Sequence, residues 1–280
     1  MPAYFDKLSM TPFFYLPNSR GVVTNKPGIC HLNLYKNYIV NLLKPKPAFF
    51  IYKYSQFSIM SHIIKILSTH YVTHNVKEFN VEKPKGFTFV PGQAIDLTIN
   101  EEGWKDNKNP FTFTCLTDDD HLQFTIKIYA DSEEGVTQHL SELKPGDELI
   151  ISDAWGAIEY KGPGYFIAGG AGITPFLAIL RNLNRQNKLD GNTLFFSNRT
   201  REDIILSDEL KAMLGGNAVF VTTDENGPGD HRRINAEFLK TEVKDFTKHF
   251  YVCGPDAMVA EINETLEGLG AKADNVVFEK

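Results

Sequence analysis

Between residues 62 and 154 the apolar positions come in short runs, several of them alternating with polar ones. The runs "HIIKILSTHYV", "KEFNVEKP", "GQAIDLTI", "PFTFTCL", "LQFTIKIYA" and "DELIISDA" are rich in Ile, Val, Thr, Phe and Tyr, with turn clusters such as "KPKG", "TDDD" and "KPGD" between them. Six strands so closely spaced, interrupted by one helical piece, "GVTQHLSEL", predict a small antiparallel barrel. After "YKGPG" the rhythm changes. Apolar strands "YFIAGG", "NTLFFSN", "NAVFVTTD", "HFYVCG" and "NVVFEK" alternate with helical patterns over "TPFLAILRNLNRQ", "SDELKAML", "NAEFLKTEV" and "PDAMVAEINETLEGLG". That alternation predicts a parallel sheet wrapped by helices, with ligands at the carboxyl ends of its strands. The expected fold is a six-stranded antiparallel barrel over residues 60–160, then a parallel-sheet α/β domain over residues 161–280.

The first 59 residues fit neither pattern. They hold one acidic residue, Asp6, against seven lysines and arginines, and prolines at 12, 17, 27, 45 and 47 break any long element. A single arginine, Arg20, and few serines argue against a transit peptide, and no continuous apolar core marks a secretory signal. Two readings stay open: an upstream extension of the frame, with Met60 the true start, or a poorly ordered tail.

Charge and cysteine content narrow the function classes. A net charge of −6 argues against nucleic acid as the main ligand, and no apolar run is long enough to span a bilayer. Cys30, Cys115 and Cys253 are odd in number and far apart. They form no disulfide framework, metal site or iron–sulfur loop, which fits a reducing cytoplasm. The expectation is a cytoplasmic monomer without a metal.

Candidate chemistry starts at "GGAGITP", residues 169–175, where a predicted strand runs into a helix. Unpaired amides at such a junction suit a phosphate-bearing ligand. Gly170 and Gly172 let a backbone approach a ligand closely, but Pro175 stands where the dinucleotide fingerprint wants a third glycine. Alone, the loop reads equally as a tight turn.

Five stretches in order, "PGQ" at 91–93, "NPFTFT" at 109–114, "GVT" at 135–137, "GGAGITP" at 169–175 and "CGPDAM" at 253–258, make the chain from Met60 onward resemble the ferredoxin–NADP reductase family. The resemblance implies a flavin in the barrel and a nicotinamide dinucleotide in the second domain. On that pattern Asn109, Pro110, Phe111 and Thr112 form the flavin strand. Phe111 would lie against the isoalloxazine ring, and Thr112 would offer its hydroxyl to flavin N5. Gly135, Val136 and Thr137 match the family's phosphate-holding stretch; Thr137 also reads as a helix cap. Gly170, Ala171, Gly172 and Thr174 would hold the dinucleotide, with Thr174 near the nicotinamide. Cys253, Gly254, Pro255 and Met258 match the stretch abutting the reacting rings. Glu279 matches a C-terminal acid of the family, a proton-network residue, although the terminal aromatic that accompanies it is missing.

Two positions depart from the pattern or refine it. The family's arginine on the flavin strand pairs with the pyrophosphate; here it is Asn109, and an amide lacks that cation. Lys108 or Lys127 would have to supply the charge, so FAD is expected, with FMN the alternative. At the end of the second strand of the α/β half, Ser197, Asn198 and Arg199 offer no acid for a ribose 2′-hydroxyl, which favours NADPH over NADH.

The resemblance therefore implies a flavoprotein passing hydride from NAD(P)H to FAD, with Thr112, Cys253 and Glu279 nearest the chemistry. Its electrons would go to a one-electron carrier, flavodoxin or ferredoxin. Two rivals remain: a reductase of free flavin, and an electron-transfer subunit that works only with a partner protein.

Overall fold

Ile64 and Ile66 point inward from strand β1 (His62–Thr73) while Ile63, Lys65 and Leu67 face out, the period-two split of a strand with one buried face. In the computed structural model the described residues are 61–129, 135–156, 158–224 and 229–278. The N-terminal segment read above as an extension or tail lies outside them.

The barrel half continues with β2 (Val76–Glu82), β3 (Ala94–Ile99), β4 (Asn109–Thr112), β5 (His121–Lys127) and β6 (Glu148–Ile151). These strands pair antiparallel in the order β4-β3-β6-β1-β2-β5. A bridge from Phe113 to Phe124 links the chain just beyond β4 to β5 and closes the sheet on itself. It also explains why β4 is shorter than the apolar run in the sequence: Phe113 turns into the core instead of extending the strand. Phe79, Phe113, Phe124 and Leu149 fill that core with Ile64 and Ile66, each burial contributing about 1.5–3 kcal/mol.

Helix α1 (Val136–Glu142) seats Leu140 in the same core. Its carboxyl end is held by Lys77 of β2, whose Nζ donates to the carbonyls of Ser141 (2.7 Å) and Leu143 (3.1 Å). A cation there meets acceptors that have no partner within the helix. Burial draws the Lys77 pKa below its ordinary value.

The second half is a parallel sheet of β7 (Gly164–Gly169), β8 (Thr193–Asn198), β9 (Ala218–Thr222), β10 (His249–Cys253) and β11 (Val276–Phe278) in the order β11-β10-β7-β8-β9. Helices α2 (Thr174–Arg185), α3 (Ser207–Leu214), α4 (Ala236–Glu242) and α5 (Asp256–Gly268) cover it. Phe166, Phe196 and Tyr251 pack on one face with Phe176, while Tyr165, Phe195 and Phe250 pack on the other with Phe238. Burial on both faces is why these strands read as unbroken apolar runs. Strand order reverses at β7, with β8 and β9 to one side and β10 and β11 to the other. That leaves a crevice at the adjoining carboxyl ends of β7 and β10.

Several contacts join the halves. Val76, the first residue of β2, is fully buried in the core of the α/β half, with Val72 near the end of β1 packed against that core. Arg181 of α2 grips Glu209 of α3 through Nε (2.6 Å) and Nη2 (2.8 Å), and its Nη1 donates to Gln123 Oε1 (2.7 Å) and the Thr114 carbonyl in the barrel. One turn on, Arg185 pairs with Asp118. The segment between the halves is pinned by Tyr251, whose hydroxyl accepts from the amides of Lys161 (2.8 Å) and Gly162 (3.0 Å) and donates to the Gly162 carbonyl (2.8 Å).

Candidate functional site

At the end of β7 the chain makes a 3-10 turn, Gly170–Ile173, before α2 starts at Thr174. The turn fits only because Gly172 has no side chain: a Cβ there would stand 2.3 Å from the Cys253 carbonyl oxygen and 2.6 Å from the Gly254 nitrogen. Gly170 has φ +53°, and a Cβ on it would meet no atom within 4 Å, so its backbone faces open space. The ends of β7 and β10 thus sit edge to edge, with bare backbone presented to the crevice.

The barrel supplies the opposite wall. Pro110, Phe111 and Thr112 of β4, Thr125, Ile126 and Lys127 of β5, and Tyr129 and Thr137 beyond it line a cleft of about 490 Å³ with Gly169, Gly170, Ala171, Gly172, Thr174, Cys253, Gly254 and Pro255. Phe111 is half-buried and also packs against the barrel core. Across the cleft, Thr112 Oγ1 donates to Thr174 Oγ1 (2.7 Å), and Thr174 Oγ1 donates to the Ala171 carbonyl (3.1 Å). Residues predicted from stretches sixty positions apart are therefore in direct contact.

Not every expected residue reaches this cleft. Asn109, Gly135, Val136, Ser197, Asn198, Arg199 and Met258 do not line it, and Glu279 lies outside the described residues. Val136 packs against the barrel core. Met258 supports the β7 turn, its Sδ lying 2.4 Å from where a Gly169 Cβ would be. Thr137 does not cap its helix, whose N-cap is Gly135. Instead its hydroxyl accepts from the Tyr129 amide (3.2 Å), because it stands within the first turn and faces the end of β5.

Beyond β8, Arg199 is exposed and both amide atoms of the buried Asn198 lack a hydrogen-bond partner. An acid does follow: Asp203 Oδ2 accepts from the Thr200 amide (3.0 Å) and hydroxyl (2.9 Å), and its other oxygen lies 3.7 Å from His74. Ala94 and Tyr129 were not singled out by sequence. For Tyr129 a signal was there, the period of two set by Lys127; Ala94 is found only through the β3–β4 register, where it sits opposite Thr112.

A cleft with bare glycine backbone on one wall, an aromatic and hydroxyls on the other, and one lysine fits a flat ring system carrying phosphates. Comparison with known proteins agrees. Residues 61–193 match the model of the FAD-binding domain, and residues 166–264 that of the oxidoreductase NAD-binding domain. The chain is 29% identical over 222 residues to NADH-cytochrome b5 reductase 1 of Aspergillus terreus, covering 71% of this chain and 74% of that protein. It is 26% identical over 214 residues to the reductase component of propane 2-monooxygenase from Rhodococcus jostii, covering 71% and 57%. In fold it resembles a ferredoxin NADP+ reductase from Neisseria gonorrhoeae solved with FAD and NADP, at a TM-score of 0.68 and 22% identity, covering 78% of this chain and 98% of that one. Among the described residues no helix is long and apolar enough to cross a membrane.

Proposed function

Because the chain belongs to the ferredoxin reductase-like flavoprotein family, we propose that it draws electrons from NAD(P)H in this cleft and delivers them singly to a separate carrier protein. When bound, FAD supplies the redox chemistry, taking hydride from the nicotinamide and releasing electrons one at a time. The chain's own residues position and shield. Phe111 offers an apolar face to the isoalloxazine ring, and the Thr112 hydroxyl addresses its N5 edge. Gly170, Ala171 and Gly172 admit the dinucleotide against bare backbone, and Thr174 orients the nicotinamide end. Cys253, small and polarisable, lets the two rings approach, and Gly254 keeps a Cβ out of their way. Thr137 turns its hydroxyl to phosphate.

The single observation that carries this reading is the hydrogen bond from Thr112 to Thr174, which brings the two proposed ring sites onto adjacent atoms of opposite walls. Anaerobic addition of NADH or NADPH to the purified protein should bleach a flavin absorption band in one step. An unchanged spectrum with both coenzymes would refute the reading.

For the coenzyme, NADPH is proposed over NADH. Arg199 is exposed just past the end of β8, and of the acids that follow, Glu202 is exposed and Asp203 is already engaged by Thr200. The carrier is proposed as a small one-electron protein of the flavodoxin or ferredoxin kind, or of the cytochrome b5 kind in the relatives' names. Asn109, in the place of the family's arginine, favours a second reading in which flavin is a dissociable substrate. Flavin remaining with the protein through gel filtration would exclude it.

A further inference from the structure

Thr174 and Arg181 stand seven residues apart on α2, two helical turns, so both present the same face to the barrel. Each is bonded there to the same short stretch of chain. Thr174 Oγ1 accepts from Thr112 Oγ1, and Arg181 Nη1 donates to the Thr114 carbonyl two residues further on. Helix and flavin strand are thus tied at two points, about 10 Å apart along the helix. The second tie continues inward. Arg181 Nη1 also donates to Gln123 Oε1 (2.7 Å), which accepts from Thr114 Oγ1 as well (2.9 Å). Thr114 Oγ1 in turn accepts from Thr125 Oγ1 (3.2 Å). The Gln123 oxygen takes one hydrogen from each half of the molecule, and its amide nitrogen is held by Asn80 Oδ1 (3.1 Å). Thr114 is fully buried and Thr125 nearly so, yet Thr125 lines the cleft. A hydrogen-bonded chain therefore runs from Glu209 on α3, through the Arg181 guanidinium, to the cleft wall of β5.

We infer that Arg181 is a positioning residue for hydride transfer: by clamping α2 onto Thr114 and Gln123, it sets how closely the nicotinamide site approaches the flavin site. The assignment rests on the reading of the cleft given above. Arg181 does not line the cleft, so it acts through Thr114 and Thr174 and not on the rings. A buried polar network whose members are all paired adds little net stability over apolar packing, but it selects one arrangement. Hydride transfer needs such selection, because reacting atoms must come within about 3–3.5 Å and an error of about 1 Å costs about 100-fold in rate. Only a planar fork reaches Glu209 and the barrel together.

The test compares the full chain with Arg181→Lys, Gln123→Met and Gln123→Glu, at a temperature below every melting transition. Arg181→Lys keeps a cation without the fork; Gln123→Met removes the shared acceptor, and Gln123→Glu keeps it. In stopped-flow mixing with saturating NAD(P)H, the first two should reduce flavin about 10- to 100-fold more slowly. Their coenzyme half-saturation and FAD affinity should stay within about twofold of the parent, and Gln123→Glu should reduce flavin at close to the parental rate. In the flavin-free protein, amide hydrogen exchange over residues 112–116 should quicken in the first two variants and not in Gln123→Glu. Parental reduction rates in Arg181→Lys and Gln123→Met would make the clamp a fold contact only and overturn the assignment, however far Tm fell. So would a loss confined to coenzyme half-saturation or FAD affinity, unchanged exchange over 112–116, or a Gln123→Glu as slow as Gln123→Met. If neither coenzyme reduced flavin in the parent, the reading of the cleft would fall and the assignment with it; the parent's own trace separates the two failures.

Discussion

Thr112 on the barrel and Thr174 at the start of α2 share a hydrogen bond of 2.7 Å across the cleft, and the Thr174 hydroxyl in turn donates to the Ala171 carbonyl (3.1 Å). Thr112 is thus oriented by the other half of the molecule. With its proton committed to Thr174, the Thr112 hydroxyl is left to act as an acceptor toward any further group.

Thr112→Val keeps the shape and deletes that hydroxyl. Flavin reduction in single-turnover mixing should slow by about tenfold or more with little change in NAD(P)H affinity, because the loss falls on the reacting atoms. Cys253→Ser, altering the contact between rings, should act the same way. Parental rates in both variants would reduce the two residues to packing.

Exposed Arg199 bears on the coenzyme. If it meets a 2′-phosphate, Arg199→Ala should lower kcat/KM for NADPH by the equivalent of about 1.5–3 kcal/mol and leave NADH nearly untouched. Equal efficiency of the two coenzymes in the parent protein would sink the preference for NADPH.

Asn109→Arg predicts a gain. The added guanidinium should tighten FAD, and the gain should be larger in a Lys127→Met background, where no cation lines the cleft. Calorimetric titration of all four combinations checks this; the same effect in both backgrounds would mean that the two positions serve different groups.

Removing the Arg181 side chain leaves Glu209, Gln123 and the Thr114 carbonyl short of partners at once. Arg181→Ala should cost about 2–4 kcal/mol and lower Tm by several degrees. Arg181→Lys should recover little, since a single ammonium cannot reproduce the fork. Thermal melts of the two variants give the comparison.

Burial pushes the Cys115 thiol up to about 11 from an ordinary 9.0, and the Tyr251 phenol up to about 12 from 10.0. Above pH 9 the unfolded chain sheds protons that the folded chain keeps, so stability is intact below that point and falls as pH rises toward 11. For Cys115 the fall is about 1.4 kcal/mol per pH unit. Denaturant melts from pH 8 to 11 should show it, and Cys115→Ala, less stable overall, should decline less steeply.

Periodicity carried the two-part architecture because both sheets bury their apolar positions in regular patterns. The helix over "SDELKAML" has the bounds its sequence implies. Local strain was harder to read: the 3-10 turn at Gly170 comes from the crowding of Gly172 against Cys253, a contact of two distant segments. Helix capping by Thr137 was a sound local inference that lost to the amide of Tyr129. The family motifs located most of the cleft wall. Motifs alone left Lys127 as one of two candidates, since a spacing of 18 residues from Asn109 says nothing about which face a strand end presents. Nor does any local pattern announce Arg181, whose partners lie 28 to 67 positions away.

The placement of Val76 has a consequence for exchanging parts between relatives. By chain order it belongs to the barrel, yet its side chain is shared with the far half. A chimera spliced near residue 160 would carry a foreign nucleotide half with this chain's Val76 still plugged into it. The graft would inherit a mismatched apolar peg of one valine, with Val72 beside it, and would need residues 72–76 transplanted as well to restore the fit.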